Sequence, residues 1–190
     1  MFDIDRPLIL ASGSPRRKEI LHTMGLAYTI DVPDVDETAF GSPEEMVIEL
    51  SCRKAKAVAV RHENALILAA DTLVYGKVVL GKPDTPESAR DMLSGLSGNW
   101  HSVYTGLTLI DTANGRIISR AEMTRVHFME LSEREILDYI ATKEPLDKAG
   151  AYGIQGMGGM FIDRIEGSYS NVVGLPMSML RCMIKEITRT

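Results

Sequence analysis

Leu8-Ile9-Leu10-Ala11-Ser12-Gly13-Ser14-Pro15-Arg16-Arg17-Lys18 passes from an apolar strand through a glycine turn into the start of a helix. That order of signals opens an α/β fold. The charges at the helix start are inverted: a helix N-terminus carries partial positive charge and favours Asp or Glu, yet Arg16, Arg17 and Lys18 crowd it. The repulsion is relieved when an anion docks there. Gly13 lets the backbone turn tightly, Ser12 and Ser14 offer hydroxyls, and Pro15 suits the first helical position. The free amides of the first turn then form a cradle suited to phosphate. The stretch points to a handler of phosphorylated small molecules.

Strand, turn and helix signals keep alternating beyond it. A strand over Leu8 to Ser12 leads into a helix from Pro15 to Met24, stopped by Gly25, and Leu26 to Val32 reads as a strand. Ser42-Pro43-Glu44-Glu45 joins a capping box to a proline at the first helical position and launches a helix to about Arg61. Ala65 to Ala70 is continuously apolar, as a strand buried on both faces would be, and ends at Asp71. Leu73 to Tyr75 then pairs with Val78 to Leu80 across Gly76-Lys77. Thr85-Pro86-Glu87 opens a helix to about Gly95. Long strands over Ser102 to Asp111 and Arg116 to Glu130 join through Asn114-Gly115. Ser132 to Glu135 is a second capping box for a helix to Thr142, and Pro176 opens the last helix. A glycine-rich loop region lies between them. No repeat or linker interrupts this order, which predicts a single domain over residues 1–190.

Composition narrows the partners. The chain has 190 residues, 45% hydrophobic and 25% charged, ordinary for a globular protein with a sizeable core. A net charge of -5 argues against a nucleic-acid polymer or an anionic membrane as partner, so any phosphate binding is local. Asp3 and Asp5 stand where a signal peptide would be basic, and no apolar stretch reaches membrane-spanning length; a cytoplasmic location is the expectation. Cys52 and Cys182 lack the density of a disulfide scaffold or the spacing of a zinc site and read as buried reduced thiols.

Several residues are placed where chemistry could use them. Lys54 shares a helix face with Val47, Leu50, Ala57 and Val58, either as a stem snorkelling from the core edge or as a phosphate contact. Asp71 closes an apolar run and so sits at a strand end, where it caps a turn with Thr72, holds a metal or activates water. Asp34, Asp36 and Glu37 form an acidic loop; a second carboxylate near Asp71 would suit Mg²⁺, whereas His22, His62, His101 and His127 have no ligand spacing. Gly81-Lys82-Pro83 puts a cation in a constrained turn. Asp147 to Gly156 exposes backbone amides around one amide side chain, Gln155, which either reads a base edge or holds a neighbouring loop. Ser168, Asn171 and Gly174 precede the last helix as possible caps.

Seven blocks in order carry a resemblance: Ala11 to Arg17, Lys54-Ala55-Lys56-Ala57, Ala70-Asp71-Thr72, Gly81-Lys82-Pro83, Leu96-Ser97-Gly98 with His101, Asp147 to Gly156, and Gly174-Leu175-Pro176. Together they resemble the Maf family of nucleoside triphosphate pyrophosphatases over nearly the whole chain. The resemblance implies an elongated α/β fold with a mixed twisted sheet, flanking helices and two lobes around a central cleft, and a homodimer. It makes Asp71 the general base and places Glu37, Lys54 and Lys82 at the metal and triphosphate site, with Mg²⁺ or Mn²⁺ as cofactor. Arg17, Thr72 and Gln155 match positions tied to substrate choice. The form Lys148 to Gly156 is similar to the branch acting on dTTP and UTP, while a sister branch acts on 7-methyl-GTP.

The mechanism expected from this is attack of water, activated by Asp71, on the α-phosphorus while the metal and the cations Arg16, Lys54 and Lys82 neutralise the triphosphate and pyrophosphate leaves. The family is also associated with inhibition of septum formation. That leaves a nucleotide-binding regulator as an alternative, alongside a nucleotidyltransferase that needs a second substrate.

Overall fold

A computed structural model describes residues 2 and 4–189; Asp3, cited above for the acidic N-terminus, lies outside the described residues. The elements follow as β1 (Leu8–Leu10), α1 (Pro15–Thr23), β2 (Thr29–Ile30), α2 (Pro43–Ala59), β3 (Leu66–Tyr75), β4 (Val79–Leu80) and α3 (Pro86–Leu96). The second half adds β5 (Trp100–Asp111), β6 (Arg116–Phe128), α4 (Glu133–Ala141), β7 (Ile162–Glu166), α5 (Tyr169–Val173) and α6 (Met177–Ile187). The strands form one seven-stranded sheet in the order β2-β1-β3-β5-β6-β7, with β4 on β3. It is mixed: β1 runs parallel to β2 and β3, while β4 and β7 are antiparallel to their partners. The expected α/β class with a mixed sheet and flanking helices is what the chain adopts.

Contacts divide the chain into two compact units. The first comprises Met1–Asp71, Thr105–Glu122 and Gly174–Thr190. In it Leu66 to Ala70 are all buried, as a continuously apolar run requires, with Leu8 and Leu10 in register beside Leu66 and Leu68. Ile9 and Ile67 point to the other face and meet Ala55 and Val58 of α2. Small side chains there let α2 lie close to the sheet: at Gly106 of β5 a Cβ would stand 2.2 Å from the Val47 carbonyl oxygen. Just along, Ser51 Oγ lies 2.9 Å from Thr108 Oγ1, which lies 2.9 Å from Ser119 Oγ, so the buried hydroxyls satisfy one another. The second unit, Thr72–Tyr104 and Met123–Val173, packs Ala89, Leu93 and Leu96 of α3 and Ile136 and Ile140 of α4 around Phe128. Spacings of three and four residues put each set on one helix face.

The predicted caps are formed. Ser42 and Glu45 exchange hydrogen bonds, as do Ser132 and Glu135, with Pro43 at the first helical position of α2. Several expectations need correction. Asp71 does not end a strand: β3 continues unbroken through Asp71 to Tyr75, because the ladder persists where the apolar run stops. On α2 the buried alanine is Ala55, with Ala57 only half-buried, since the helix turns its Val47, Leu50, Ser51 and Val58 side inward. Cys182 is exposed and Cys52 partly so; both are free, but neither is buried, because each falls on the outer side of its helix. Of the strand expected over Leu26 to Val32 only Thr29 and Ile30 pair, as suits an exposed sheet edge. The loop before α6 holds a strand and a short helix, β7 and α5. In β7 the residues Asp163, Arg164 and Glu166 conceal any apolar alternation.

Candidate active site

The chemistry of the first unit gathers on Lys54. Helix α2, fixed by its capping box, puts Lys54 one turn after Leu50, where its stem is largely out of water and its ammonium has two carboxylate partners. Nζ lies 2.6 Å from Asp71 Oδ1 and 2.6 Å from Glu37 Oε1. The Lys54 and Asp71 side chains are only 12% and 13% exposed, whereas Glu37 is 63% exposed. Charges so shielded are stable only when paired, so losing Lys54 strands Asp71, whereas Lys54 keeps Glu37 if Asp71 is lost.

Beside this pair stands the cationic start of α1. Ser12 is buried, and its Oγ accepts from the Ser14 amide at 3.2 Å and from Arg17 Nη1 at 3.0 Å. Arg17 Nε donates to the Gly174 carbonyl oxygen at 3.0 Å, locking the guanidinium between the first turn and the segment that joins α5 to α6. Burial pulls the Arg17 pKa below arginine's ordinary value; Asp71 pushes it up, Arg16 pulls it down and Glu37 pushes it up again. Arg17 therefore feels the fields of all three. Helix α1 has no acid in its first turn, and Arg16 forms no ion pair among the described residues. Three cations, Arg16, Arg17 and Lys54, thus face two carboxylates, leaving positive charge for an anion.

Glu37 and Asp71 bring two carboxylates together on one ammonium here. Among the described residues no three His, Cys, Asp or Glu side chains gather as a complete metal cage. Two carboxylates sharing one ammonium suit a hard divalent ion that completes its shell with water and phosphate oxygens.

The structure brings Ser12, Arg16, Arg17, Glu37, Lys54 and Asp71 into one unit; Thr72, Lys82 and Gln155 belong to the other. There Lys82 is exposed, in a turn pinned to the glycine-rich loop by a bond from the Gly150 amide to the Gly81 carbonyl oxygen at 3.0 Å. Gln155 is exposed on that loop and Thr72 is half-buried in β3.

Sequence reasoning did not anticipate the role of His101. It is 3% exposed, with Nε2 2.8 Å from the Tyr152 hydroxyl and its ring edge-on to Phe128. Burial, helped by His127, lowers its pKa to about 4. The folded protein keeps this imidazole neutral while the unfolded chain protonates it from its ordinary value downward. Its contribution to stability is complete above about pH 6.5 and is lost as pH falls to about 4, a loss of about 3 kcal/mol at most. Urea midpoints at pH 7 and pH 4.5 should separate more for the wild type than for His101→Phe; equal separations would exclude His101 as the source.

An α/β protein in which a lysine joins two carboxylates beside an acid-free, arginine-rich helix start falls in the class of phosphate-handling folds. More particularly, the chain belongs to the Maf-like protein family, whose profile matches residues 7–187. It is 49% identical over 184 residues to a dTTP/UTP pyrophosphatase of Bacillus cereus, covering 95% of each chain. It is 48% identical over the same length and coverage to proteins of that name from Bacillus anthracis and from Bacillus cytotoxicus. No helix among the described residues is long and apolar enough to cross a membrane.

Proposed function

We propose that this protein is a nucleoside triphosphate pyrophosphatase, with dTTP and UTP as substrates and the nucleoside monophosphate and pyrophosphate as products. The observation that carries this reading is Lys54 bridging Asp71 and Glu37 next to the cationic start of α1. The names of the close relatives give the base preference.

Asp71 is the general base. Water attacks the α-phosphorus, its proton passes to an Asp71 carboxylate oxygen, and the bond from the α-phosphorus to the bridging oxygen breaks as pyrophosphate departs. Lys54 orients Asp71 and, with Arg16, offsets charge developing on the phosphate oxygens; Arg17 and Ser12 hold the first turn of α1 in shape for the phosphates. Charge grows on the leaving group in the transition state, so cations held in place beforehand lower the barrier more than they tighten substrate binding. Mg²⁺ or Mn²⁺ on Glu37 and Asp71 would supply further charge neutralisation and a more acidic bound water. Lys82 as a phosphate contact, and Thr72 and Gln155 as readers of the uracil or thymine edge, rest on the resemblance. So does the homodimer, whereas the reading of residues 1–190 as one domain and the cytoplasmic location rest on the sequence patterns themselves.

A panel of nucleoside triphosphates with Mg²⁺ or Mn²⁺, assayed for monophosphate and pyrophosphate, tests the reading. UTP and dTTP should be cleaved without a second substrate. Preference for 7-methyl-GTP would move the protein to the sister branch, and binding without turnover would make it a regulator. A site built to bond one base edge rejects the other because its polar groups are left unpaired. Gln155→Ala should therefore raise the KM for UTP and lower the UTP to CTP ratio of kcat/KM by about tenfold. An unchanged ratio removes Gln155 from base recognition.

A further inference from the structure

Gln155 stands on a loop whose backbone needs an anchor if the amide is to hold one position, and a partly buried acid supplies it. Glu144 opens a single 3-10 turn, Glu144–Asp147, just after α4, and its carboxylate reaches into the loop. Oε2 accepts from the Met157 amide at 2.9 Å; Oε1 accepts from the Gly158 amide at 3.2 Å and from the Tyr139 hydroxyl at 2.9 Å. The Tyr139 oxygen in turn accepts from the Gly153 amide at 3.3 Å. These bonds fall on both sides of Gln155. The backbone also touches the acid and its partner: a Cβ on Gly156 would lie 2.2 Å from Glu144 Oε1, and one on Gly158 2.6 Å from the Tyr139 hydroxyl oxygen. The glycines are thus required by the wrapping as much as by any ligand. Lys148 Nζ donates to the Glu144 carbonyl oxygen at 2.6 Å, fixing the base of the loop.

Burial pushes the Glu144 carboxyl up, but the Met157 amide, the Tyr139 hydroxyl, the Gly158 amide and the Lys148 charge together hold it below its ordinary value. The acid is therefore ionised at neutral pH, and its bonds are the stronger, charge-assisted kind.

We propose that Glu144, acting with Tyr139, is a positioning residue for base selection: the loop from Gly153 to Gly158 is wound on its carboxylate, and that winding sets where the Gln155 amide stands. This rests on the reading that Gln155 meets the base. Replacing the carboxylate by an amide leaves one oxygen for two backbone N–H groups and turns an NH₂ toward the other. The loop then loosens on one side of Gln155 while Asp71 and Lys54, in the other unit, keep their own partners.

The test compares kcat and KM for UTP and CTP in the wild type, Glu144→Gln, Tyr139→Phe, Gln155→Ala and the Glu144→Gln/Gln155→Ala double variant. Glu144→Gln should lower the UTP to CTP ratio of kcat/KM by about tenfold, chiefly through the KM for UTP. Tyr139→Phe keeps its ring against Phe161, 5.0 Å away, and should shift the ratio in the same direction by less, which decides the matter if Glu144→Gln does not fold. In the double variant the ratio should fall no further than in Gln155→Ala, because both changes act through one amide. Equal losses for UTP and CTP, or an unchanged ratio in Glu144→Gln and Tyr139→Phe while Gln155→Ala shifts it, overturn the proposal. An unshifted ratio in Gln155→Ala overturns the base-reading assignment and this inference with it.

Discussion

Asp71→Asn is expected to abolish nearly all turnover while the protein remains folded. Asparagine matches aspartate in shape and can still accept a hydrogen bond from Lys54 Nζ, which retains Glu37 as its second partner. The substituted side chain cannot take a proton from water, and it leaves one carboxylate where the proposed cation site has two. A positioned general base contributes about 10² to 10⁴ in rate, so kcat should fall by that factor, with KM changed only a few-fold. Single-turnover kinetics with UTP and a thermal melt separate the two consequences. A kcat within about tenfold of wild type would remove Asp71 from the centre of the mechanism.

Gly106→Ala should have the largest effect on stability. The added Cβ would stand 2.2 Å from the Val47 carbonyl oxygen and 2.4 Å from its carbon. Both atoms belong to the backbone of α2, so no side-chain rotation relieves the overlap and the helix must move off β5. Overpacking of this kind costs about 3 kcal/mol, and it also disturbs the Ser51 to Thr108 contact. Lys54 lies on the next turn of α2, so the displacement would also draw its ammonium away from Asp71. The expected result is a lowered urea midpoint together with a reduced kcat in whatever fraction folds. A variant with wild-type stability would show that α2 does not depend on this close approach.

The two variants divide the molecule as the sequence did. Signals that act over a few residues were legible: the strand, turn and helix at Leu8 to Lys18, the capping boxes at Ser42 and Ser132, and the buried run ending at Ala70. Lys54 was conspicuous on its helix face and Asp71 at the close of its apolar run, each with a bland reading beside the functional one. Their 2.6 Å contact was not legible, because it depends on how far α2 lies from the sheet and along which line. That distance is set by Gly106 and by alanines at 11, 55 and 69, residues with no chemistry of their own. Asp71 looked like a strand terminus because apolar character stops there, although backbone pairing continues past it. Strand β7 was hidden for the opposite reason: its Arg125 to Glu166 pairing on β6 uses polar residues that look like loop. Glu144 and His101 carry no periodic signal; one anchors a loop through backbone amides, and the other is neutral only because Phe128 and Tyr152 enclose it.

By itself the sequence determined the α/β order, the helix starts and the inverted charge at the head of α1, since these follow from propensity, capping and side-chain period within a turn or two of chain. Only the tertiary structure decided that Lys54 would meet both Asp71 and Glu37, and that a partly buried acid would hold the loop bearing Gln155. Those pairings join residues distant in sequence, and their geometry comes from backbone packing distances, which no local pattern of side chains encodes.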